Sequence, residues 1–283
     1  MPKFNPLLLV KLILWVAAVA FATYLLRRRK VSARVRVLML VVGIIVFGII
    51  YGFLVHGGPN PSPVLSLRGI LFSAVAKHSV ALPLLGMLLA LLIVGIVSNK
   101  AICGWGCQLG LLQDLLFRAP VPKWRPPFWL SNSVRALAFL ALILGIAWAT
   151  FDWIAPVDPF LLFSFKLVVP ALLFAGVILI ASLFIYRPWC QFLCPFGLVS
   201  WLLEQVSVLR PRINRAECLG CKLCVNACPT GAMADFYDDK RIHADCFSCG
   251  ACIAACPREK ALMWRGPGGG KSQAKVNKDK KTN

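Results

Sequence analysis

The sequence is poor in acidic residues and in histidine. Its 283 residues contain 11 Asp and Glu against 31 Lys and Arg, and its three histidines are His56, His78 and His243. Buried carboxylates usually mark ion and proton pathways through membranes, and the centres of the long apolar segments carry almost no ionisable group. A b-type haem would need two axial histidines facing each other within those segments, which these three do not supply. The shortages argue against a pump, a transporter and a membrane cytochrome.

Apolar residues are abundant instead. Hydrophobic residues make up 59% of the chain, and the mean hydropathy of +0.76 lies outside the range of soluble globular proteins. The net charge of +20 is typical of cytoplasmic loops and of contact with anionic lipid headgroups. Nucleic acid is the other common partner of a basic chain, but here the basic residues flank apolar segments and no nucleic-acid motif occurs. We therefore expect membrane lipid, and no nucleic acid, as a partner.

Five apolar segments approach the roughly 20 residues that a helix needs to cross a bilayer. They cover residues 7–26, 37–55, 80–98, 133–151 and 167–186. The first is followed by a basic stretch that begins at Arg27 rather than by a small-residue cleavage site, so we interpret it as a retained helix and not as a signal peptide. Residues 64–77 are expected to form a short interfacial helix.

The basic residues predict the orientation of these segments. Six Lys and Arg lie between Arg27 and Arg36, and four lie between Lys100 and Arg125, whereas loops 56–79 and 152–166 hold two and one. By the positive-inside rule the basic loops are cytoplasmic. The pattern predicts a multi-pass protein of the bacterial inner (cytoplasmic) membrane with five helices and an outside N-terminus. Only Lys3 and Lys11 oppose that arrangement.

Two cysteine runs follow the last apolar segment. Residues 218–229 read CLGCKLCVNACP and residues 246–257 read CFSCGACIAACP, and each is C-x2-C-x2-C-x3-C-P. Bacterial ferredoxins hold two 4Fe–4S clusters with this spacing, and the fourth cysteine of each run binds the cluster of the other run. The first predicted ligand set is Cys218, Cys221, Cys224 and Cys256. The second predicted ligand set is Cys246, Cys249, Cys252 and Cys228.

Structural zinc and disulfides are the alternatives for these runs. Zinc sites usually close with two C-x2-C pairs or with histidines, which neither run shows. Disulfides need an oxidising compartment, which the predicted topology does not provide. Because all eight positions are cysteine, no iron is left open for bond chemistry, and relay of single electrons is the expected role.

The other four cysteines form an internal repeat. Residues 103–111 read CGWGCQLGL and residues 190–198 read CQFLCPFGL, so both are C-x3-C-x2-G-L and both follow an apolar segment. On an unbroken helix the two Cβ atoms of each pair would be about 5–6 Å apart, too far for the roughly 3.5–4.5 Å of a disulfide. The thiols of Cys103, Cys107, Cys190 and Cys194 could form one site for zinc, iron or copper(I) or a redox-active dithiol. They could also be small buried residues.

The combination of these motifs resembles the NapH/MauN family of ferredoxin-type membrane proteins. The resemblance covers roughly residues 37–265, with four apolar segments, the two C-x3-C motifs and the paired 4Fe–4S runs. In the family each C-x3-C motif usually ends in proline. Pro195 fits this pattern in the second motif, but Gln108 replaces the proline in the first. The first apolar segment is a further difference from the family.

The resemblance completes the predicted fold. Together with the apolar segments it implies an α-helical integral membrane protein of about five transmembrane helices, four of them shared with the family, and a small C-terminal α+β dicluster ferredoxin domain. The expected boundaries are 1–36 for the extra helix and basic loop, 37–210 for the four-helix membrane domain, 211–265 for the ferredoxin domain and 266–283 for a disordered basic tail.

The resemblance also implies a function. It is that of an electron-transfer subunit of a quinol dehydrogenase-type complex, with the quinone pool on one side and a periplasmic iron–sulfur protein or cytochrome as eventual acceptor. A cytoplasmic ferredoxin domain faces away from such an acceptor, so charge would have to cross the bilayer. The alternative is a factor that reduces a metal such as copper, or assembles a metallo-cofactor, with the C-x3-C cysteines.

Three side chains could handle the protons of a quinol. His56 and His78 flank the outer ends of the second and third apolar segments, on the same side of the membrane as Asp152 and Asp158, although ordinary interface histidines are the simpler interpretation. Glu204 follows the second C-x3-C motif. It is expected to be solvated or to face lipid headgroups, with a proton relay as the alternative.

Overall fold

The structure, a computed structural model, describes residues 6–54, 62–76, 78–166 and 168–267 and is mostly helical. His56, Lys3 and the tail beyond residue 267 lie outside the described residues. The main helices are α1 (Pro6–Arg27), α2 (Ala33–Gly43), α3 (Tyr51–Leu54), α4 (Pro63–Ala76), α5 (Leu82–Ser98), α6 (Ala101–Trp105), α7 (Gln108–Leu116), α8 (Phe128–Ala149), α9 (Val169–Phe184) and α10 (Pro195–Glu204).

Apolar helices occur at all five predicted segments. Leu9–Arg27, Ala33–Leu54 and Phe128–Ala149 are long and apolar enough to cross a membrane. Helices α5 and α9 have 17 and 16 residues, somewhat fewer than the roughly 20 that a full crossing needs. Helix α4 corresponds to the expected short helix at residues 64–77.

The second long helix contains a wide turn. Ser32 caps its N-terminus by accepting a hydrogen bond from the Val35 amide at 3.2 Å, and a π-helical segment, Ile44–Ile50, joins α2 to α3. A Cβ on Gly48 would lie 2.8 Å from the Phe163 ring, and one on Gly52 would collide with the Phe163 carbonyl oxygen. The two glycines therefore let this helix pack directly on the 3-10 turn Pro159–Ser164.

The C-terminal part is a small α+β unit. Strand β1 (Arg210–Ile213) pairs antiparallel with β2 (Leu262–Arg265), so that the two strands bring its ends together. Between them lie three short helices, α11 (Leu223–Asn226), α12 (Ala232–Tyr237) and α13 (Ala251–Ala255). Its core includes the buried side chains of Met233, Ile253 and Trp264.

This unit is tied to the ends of the apolar helices. The amides of Val208 and Leu209 donate to the carbonyls of Ile96 and Val97 at 2.8 and 3.0 Å. A carbon added at Gly104 would collide with the Phe247 carbonyl oxygen. The C-terminal unit therefore packs in backbone contact with the helical body.

Arg29, in the basic loop after α1, makes a second attachment. Its guanidinium donates to four carbonyl groups of the C-terminal unit. The acceptors are Glu259, Leu262, Ile253 and Cys256, at 3.1, 2.7, 3.0 and 2.7 Å. The basic loop and the C-terminal unit consequently lie at the same end of the helices.

Candidate functional site

The two cysteine runs share one backbone conformation. In each run the residues on both sides of the second cysteine have left-handed φ angles: Gly220 (70°) and Lys222 (54°) in the first, Ser248 (53°) and Gly250 (79°) in the second. For Lys222 and Ser248 this conformation costs about 1–2 kcal/mol. Such backbone outliers are characteristic of ligand-binding loops.

Each run contributes to two small cavities. One cavity is lined by Cys218, Cys221, Cys224 and Cys256. The other is lined by Cys228, Cys246, Cys249 and Cys252. The fourth cysteine of each run thus lines the same cavity as the first three cysteines of the other run. The residues present fit two four-cysteine clusters.

The two C-x3-C motifs also share one local structure. Cys103 lies in α6 and Cys107 caps α7, while Cys190 lies in the π-helical turn Trp189–Leu193 and Cys194 caps α10. The helix therefore breaks within each motif, and neither pair lies on the unbroken helix considered above. In the second motif, Cys194 accepts a hydrogen bond from the backbone amide of the motif glycine, Gly197, at 3.3 Å.

A buried arginine contacts the first cysteine of each motif. Arg187 donates to the carbonyl oxygens of Cys103 and Gly104. Arg135 donates to the carbonyl oxygen of Cys190 at 3.1 Å. Both arginines are 0% exposed, so they hold the two motifs from inside the protein.

The motif glycines make room for these arginines. A Cβ on Gly110 would lie 2.8 Å from the Cys103 oxygen and 3.0 Å from Arg187 Nη1. A Cβ on Gly197 would lie 2.6 Å from the Cys190 oxygen. Close packing therefore explains the glycine that both copies of C-x3-C-x2-G-L contain.

The four C-x3-C thiols lie together in the interior. All four cysteines are 6–7% exposed. Besides the effect of burial, the thiols of Cys103, Cys107 and Cys190 lie close enough to Cys194 to raise its pKa. Burial raises the pKa of the Cys190 thiol to about 12 and raises the pKa of the other three as well. At neutral pH all four are therefore protonated thiols, and a metal would have to displace their protons.

The described part of the chain contains no preformed site for a single metal ion. Among the described residues, no group of three or more His, Cys, Asp or Glu side chains has the geometry to hold one ion. Zinc, for comparison, needs thiolates about 2.3 Å from a common point. The C-x3-C quartet as placed therefore does not fit the single-ion site considered above.

Asp114 connects the first motif to its neighbours. Its Oδ2 accepts hydrogen bonds from Arg36 at 2.7 Å, Tyr186 at 2.9 Å and Arg187 at 3.0 Å, and Arg118 lies 3.6 Å from Oδ1. Burial alone would raise the pKa of Asp114, but Arg36 and Arg187 hold it well below its usual range. The carboxylate stays ionised at neutral pH.

A second buried charge cluster joins the helices to the cysteine runs. Asp245, which precedes Cys246, forms ion pairs with Lys100 and with Arg135, the latter at 3.2 Å. Burial alone would raise the pKa of Asp245, but Arg135 and Lys100 lower it below its usual value. Lys100 also lies 3.4 Å from Glu204.

The expectation that Glu204 is solvated or faces lipid headgroups is wrong. It is 1% exposed, accepts a hydrogen bond from the Cys246 amide at 2.7 Å and lies 3.3 Å from Nδ1 of the buried His243. Burial raises the pKa of Glu204, and Lys100 and His243 oppose that rise. The C-terminal unit covers the end of α10, which places this carboxyl in the interior.

The opposite end of the helices holds the other candidates. Arg68 forms ion pairs with Asp152 at 3.0 Å and Asp158 at 3.1 Å, so both acids are already paired. His78 is exposed, and His56 lies outside the described residues. The structure therefore does not show these histidines and acids as one site.

Two family models match the regions that contain the cysteines. One, described as a 4Fe–4S dicluster domain, matches residues 217–262. The other, described as a 4Fe–4S binding domain, matches residues 80–127 and 167–215. The first match contains both ferredoxin runs, and the second contains both C-x3-C motifs.

Similar proteins carry related names. The ferredoxin-type protein NapH of Haemophilus influenzae is 27% identical over 170 residues, which cover 56% of this chain and 57% of the relative. The methylamine utilization ferredoxin-type protein MauN of Methylorubrum extorquens is 29% identical over 180 residues, which cover 60% of each chain. These similarities support the predicted resemblance to the NapH/MauN-like family.

Other comparisons agree with that resemblance. YccM of Escherichia coli, provisionally named an electron transport protein, is 27% identical over 192 residues, which cover 61% of this chain and 54% of YccM. The NapH/MauN-like chain thus spans between about half and three-fifths of the length of these relatives. No solved structure matches it.

Three buried basic residues of this NapH/MauN-like chain were not predicted as parts of a site. Lys100 counted only as a loop charge, and neither Arg135 nor Arg187 had a role in a predicted site. A sequence signal exists for two of them, because Lys100 and Arg187 each precede the first cysteine of a C-x3-C motif by three positions. The repeat therefore extends to a basic residue on its N-terminal side.

Proposed function

We propose that the chain is a membrane-bound electron-transfer subunit of a quinol dehydrogenase-type complex. It would pass electrons between the quinol pool and a redox partner, an iron–sulfur protein or cytochrome, in a respiratory or periplasmic oxidoreductase system. The observation that carries this proposal is the packing of a unit with two four-cysteine cavities against the apolar helices, with the second cavity in contact with Tyr186 just after α9. The names of the relatives support the electron-transport role.

The proposed ligands are the eight cysteines that line the two cavities. Each bound 4Fe–4S cluster would take up or release one electron at a time. The chain's own contribution is to hold the clusters near the bilayer. Asn99 donates to the Cys246 carbonyl at 3.2 Å, Trp105 donates to the Ser248 carbonyl at 2.9 Å, and Glu204 accepts from the Cys246 amide. These contacts fix the second run against the helical body.

The proposed topology is that of a multi-pass protein of the bacterial inner membrane, with five passes and a cytoplasmic ferredoxin domain. The contacts of Arg29 with the C-terminal unit support it, as does the hydrogen bond from Arg125 to the Asn226 carbonyl at 2.6 Å. Two basic loops thereby lie at the ferredoxin end. The proposed domain boundaries remain 1–36, 37–210, 211–265 and 266–283.

The C-x3-C quartet supports a second candidate function. Four buried thiols gathered from two motifs could exchange electrons as dithiols, with two electrons and two protons released for each disulfide formed. They could also receive a metal such as copper after rearrangement and loss of their protons, as the reductase or assembly-factor alternative requires.

An anaerobic redox titration followed by EPR tests the proposal, with iron and copper counted on the same sample. Two interacting 4Fe–4S signals that appear on addition of quinol, without other metal, are expected. Clusters that dithionite reduces but quinol does not would refute the quinol-linked role. A further metal that disappears in Cys103→Ser together with Cys190→Ser would instead favour the assembly-factor function.

A further inference from the structure

A cleft lies between the helical body and the ferredoxin part, beside the second four-cysteine cavity. It encloses about 600 Å³, within the range of small-molecule sites. Its exposed rim includes Ser32, which caps α2, Ala33 at the start of α2, Arg118 after α7, and Ala254 of α13. The cleft therefore opens where a membrane-spanning helix would enter the bilayer.

The walls of the cleft suit a flat, largely apolar ring. Val31 and three alanines of α13 provide aliphatic surface. Phe117 and Tyr186 pack edge to face, with ring centroids 5.2 Å apart. Aromatic and aliphatic walls with a few placed polar groups are typical of sites for aromatic ligands.

The floor of the cleft carries hydrogen-bond donors that the protein does not satisfy. Arg36 is 1% exposed and stacks on Trp105. Its Nη2 donates to Gly104 and Asp114, but Nε and Nη1 have no partner. Buried donors without partners cost about 1–3 kcal/mol each, so the floor is suited to a ligand with an acceptor oxygen.

The cleft shares a wall with the second four-cysteine cavity. Tyr186, Pro229, Cys249 and Gly250 line both spaces. A ligand in the cleft would thus be separated from the proposed cluster by this wall alone. Asp114 on the floor also bonds Arg187, which contacts the Cys103 carbonyl.

We propose that this cleft binds the aromatic headgroup of a quinol. The proposal rests on the proposed quinol-linked function and adds the site. The ring lies between Phe117 and the alanines of α13, a ring oxygen accepts from Arg36, and the apolar tail leaves past Ser32 and Ala33. Oxidation releases two electrons, one to each of the two proposed clusters, and two protons, which leave through the open rim to water.

A second groove provides a matched comparison. It lies between α1, α5 and the C-terminal strand, and Ala20, Tyr24, Arg28 and Val94 are among the described residues that line it. No cysteine is found among those lining residues. A quinol there would face no candidate electron acceptor, so this groove serves as the control site.

Photoaffinity labelling of the full chain in nanodiscs tests the assignment. The probes are a photoreactive benzoquinone and a photoreactive naphthoquinone, and labelled peptides are mapped by mass spectrometry. Labels are expected at residues 31–36, 114–118 and 251–255. Ala254→Trp and, on the facing rim, Ala33→Trp should each reduce labelling at least about tenfold, while Ala20→Trp should leave it unchanged. Iron content is measured for every variant. If Ala254→Trp loses iron, the test relies on the labelling of Ala33→Trp instead.

The outcomes separate this site from the proposed function. Labels confined to residues 16–28 and 93–98, labelling that survives both cleft variants, or no labelling by either probe would overturn the cleft assignment. Quinol-driven cluster reduction is followed separately by visible absorbance. Equal reduction rates in the wild type and both cleft variants would refute the cleft as the quinol site but leave the proposed function standing. Labelling of the cleft without quinol-driven reduction would support the cleft as a quinone-binding site and refute the proposed quinol-linked function.

Discussion

Replacing Arg187 with methionine should destabilise the protein far more than replacing Arg118. Both arginines contact the carboxylate of Asp114, but they differ in burial. The side chain of Arg187 is 0% exposed and lies 3.0 Å from Oδ2, whereas that of Arg118 is 34% exposed and lies 3.6 Å from Oδ1. The pair is therefore a matched test of burial.

The expected magnitudes follow from that difference. Removing one partner of a buried ion pair costs about 3–5 kcal/mol, because the other charge stays buried. Arg187→Met also leaves the carbonyls of Cys103 and Gly104 without this donor. A partly exposed pair contributes about 0–1 kcal/mol. We expect a loss of at least about 3 kcal/mol for Arg187→Met and less than about 1 kcal/mol for Arg118→Met.

Denaturant unfolding in detergent, followed by tryptophan fluorescence, measures both losses. Trp105 and Trp189 are both buried. Trp189 is close to Arg187 in the chain and Trp105 is close to it in the fold, so their emission reports on this region. Iron content and elution volume control for cluster loss and aggregation. Equal losses in the two variants, or a loss below about 1 kcal/mol for Arg187→Met, would show that the buried network does not stabilise the fold as argued.

Three further expectations concern the same region. Gly197→Ala places a methyl group 2.6 Å from the Cys190 oxygen and should cost about 1–3 kcal/mol. Gly176→Ala in α9, where nothing lies within 4 Å, should be neutral or stabilise by up to about 1 kcal/mol, and unfolding curves compare the two. The pKa of Asp114 is lowered in the folded state, so its stabilising contribution is complete above its unfolded pKa of about 3.9 and is lost as the pH falls toward and through its folded pKa. The stability difference between wild type and Asp114→Asn should therefore shrink from pH 7 to pH 3, and a constant difference would contradict this reasoning. Cys103→Ser with Cys190→Ser should retain the iron content of the wild type, because neither residue lines a proposed cluster cavity, and loss of half the iron would place a cluster at the quartet.

The parts of the fold that could be predicted are those set by local patterns. Apolar segments of about 20 residues predict helices because each helix satisfies its own backbone. The grouping of the eight ferredoxin cysteines follows from spacing within each run and from the crossing of the fourth cysteine. The short helix at residues 64–77 has a turn-rich segment before it and an apolar sequence of its own.

The buried charges could not be predicted from local patterns. Glu204 meets Cys246, 42 positions away, and Arg135 meets Asp245, 110 positions away. In the sequence Lys100 is indistinguishable from a loop lysine until its partner Asp245, 145 positions away, is placed beside it. Positive-inside counting therefore includes side chains that neutralise buried acids rather than face water.

The attachment of Arg29 has a consequence for assembly. Its four acceptors are main-chain carbonyls around Cys256, and they converge only when the loop that carries this proposed ligand is folded. A polypeptide that has not received its iron would leave that loop unformed and the arginine without acceptors. Cofactor insertion would then act as the step that locks the C-terminal unit onto the helical body. Loss of iron would expose the interface to proteases, so that damaged copies could be removed.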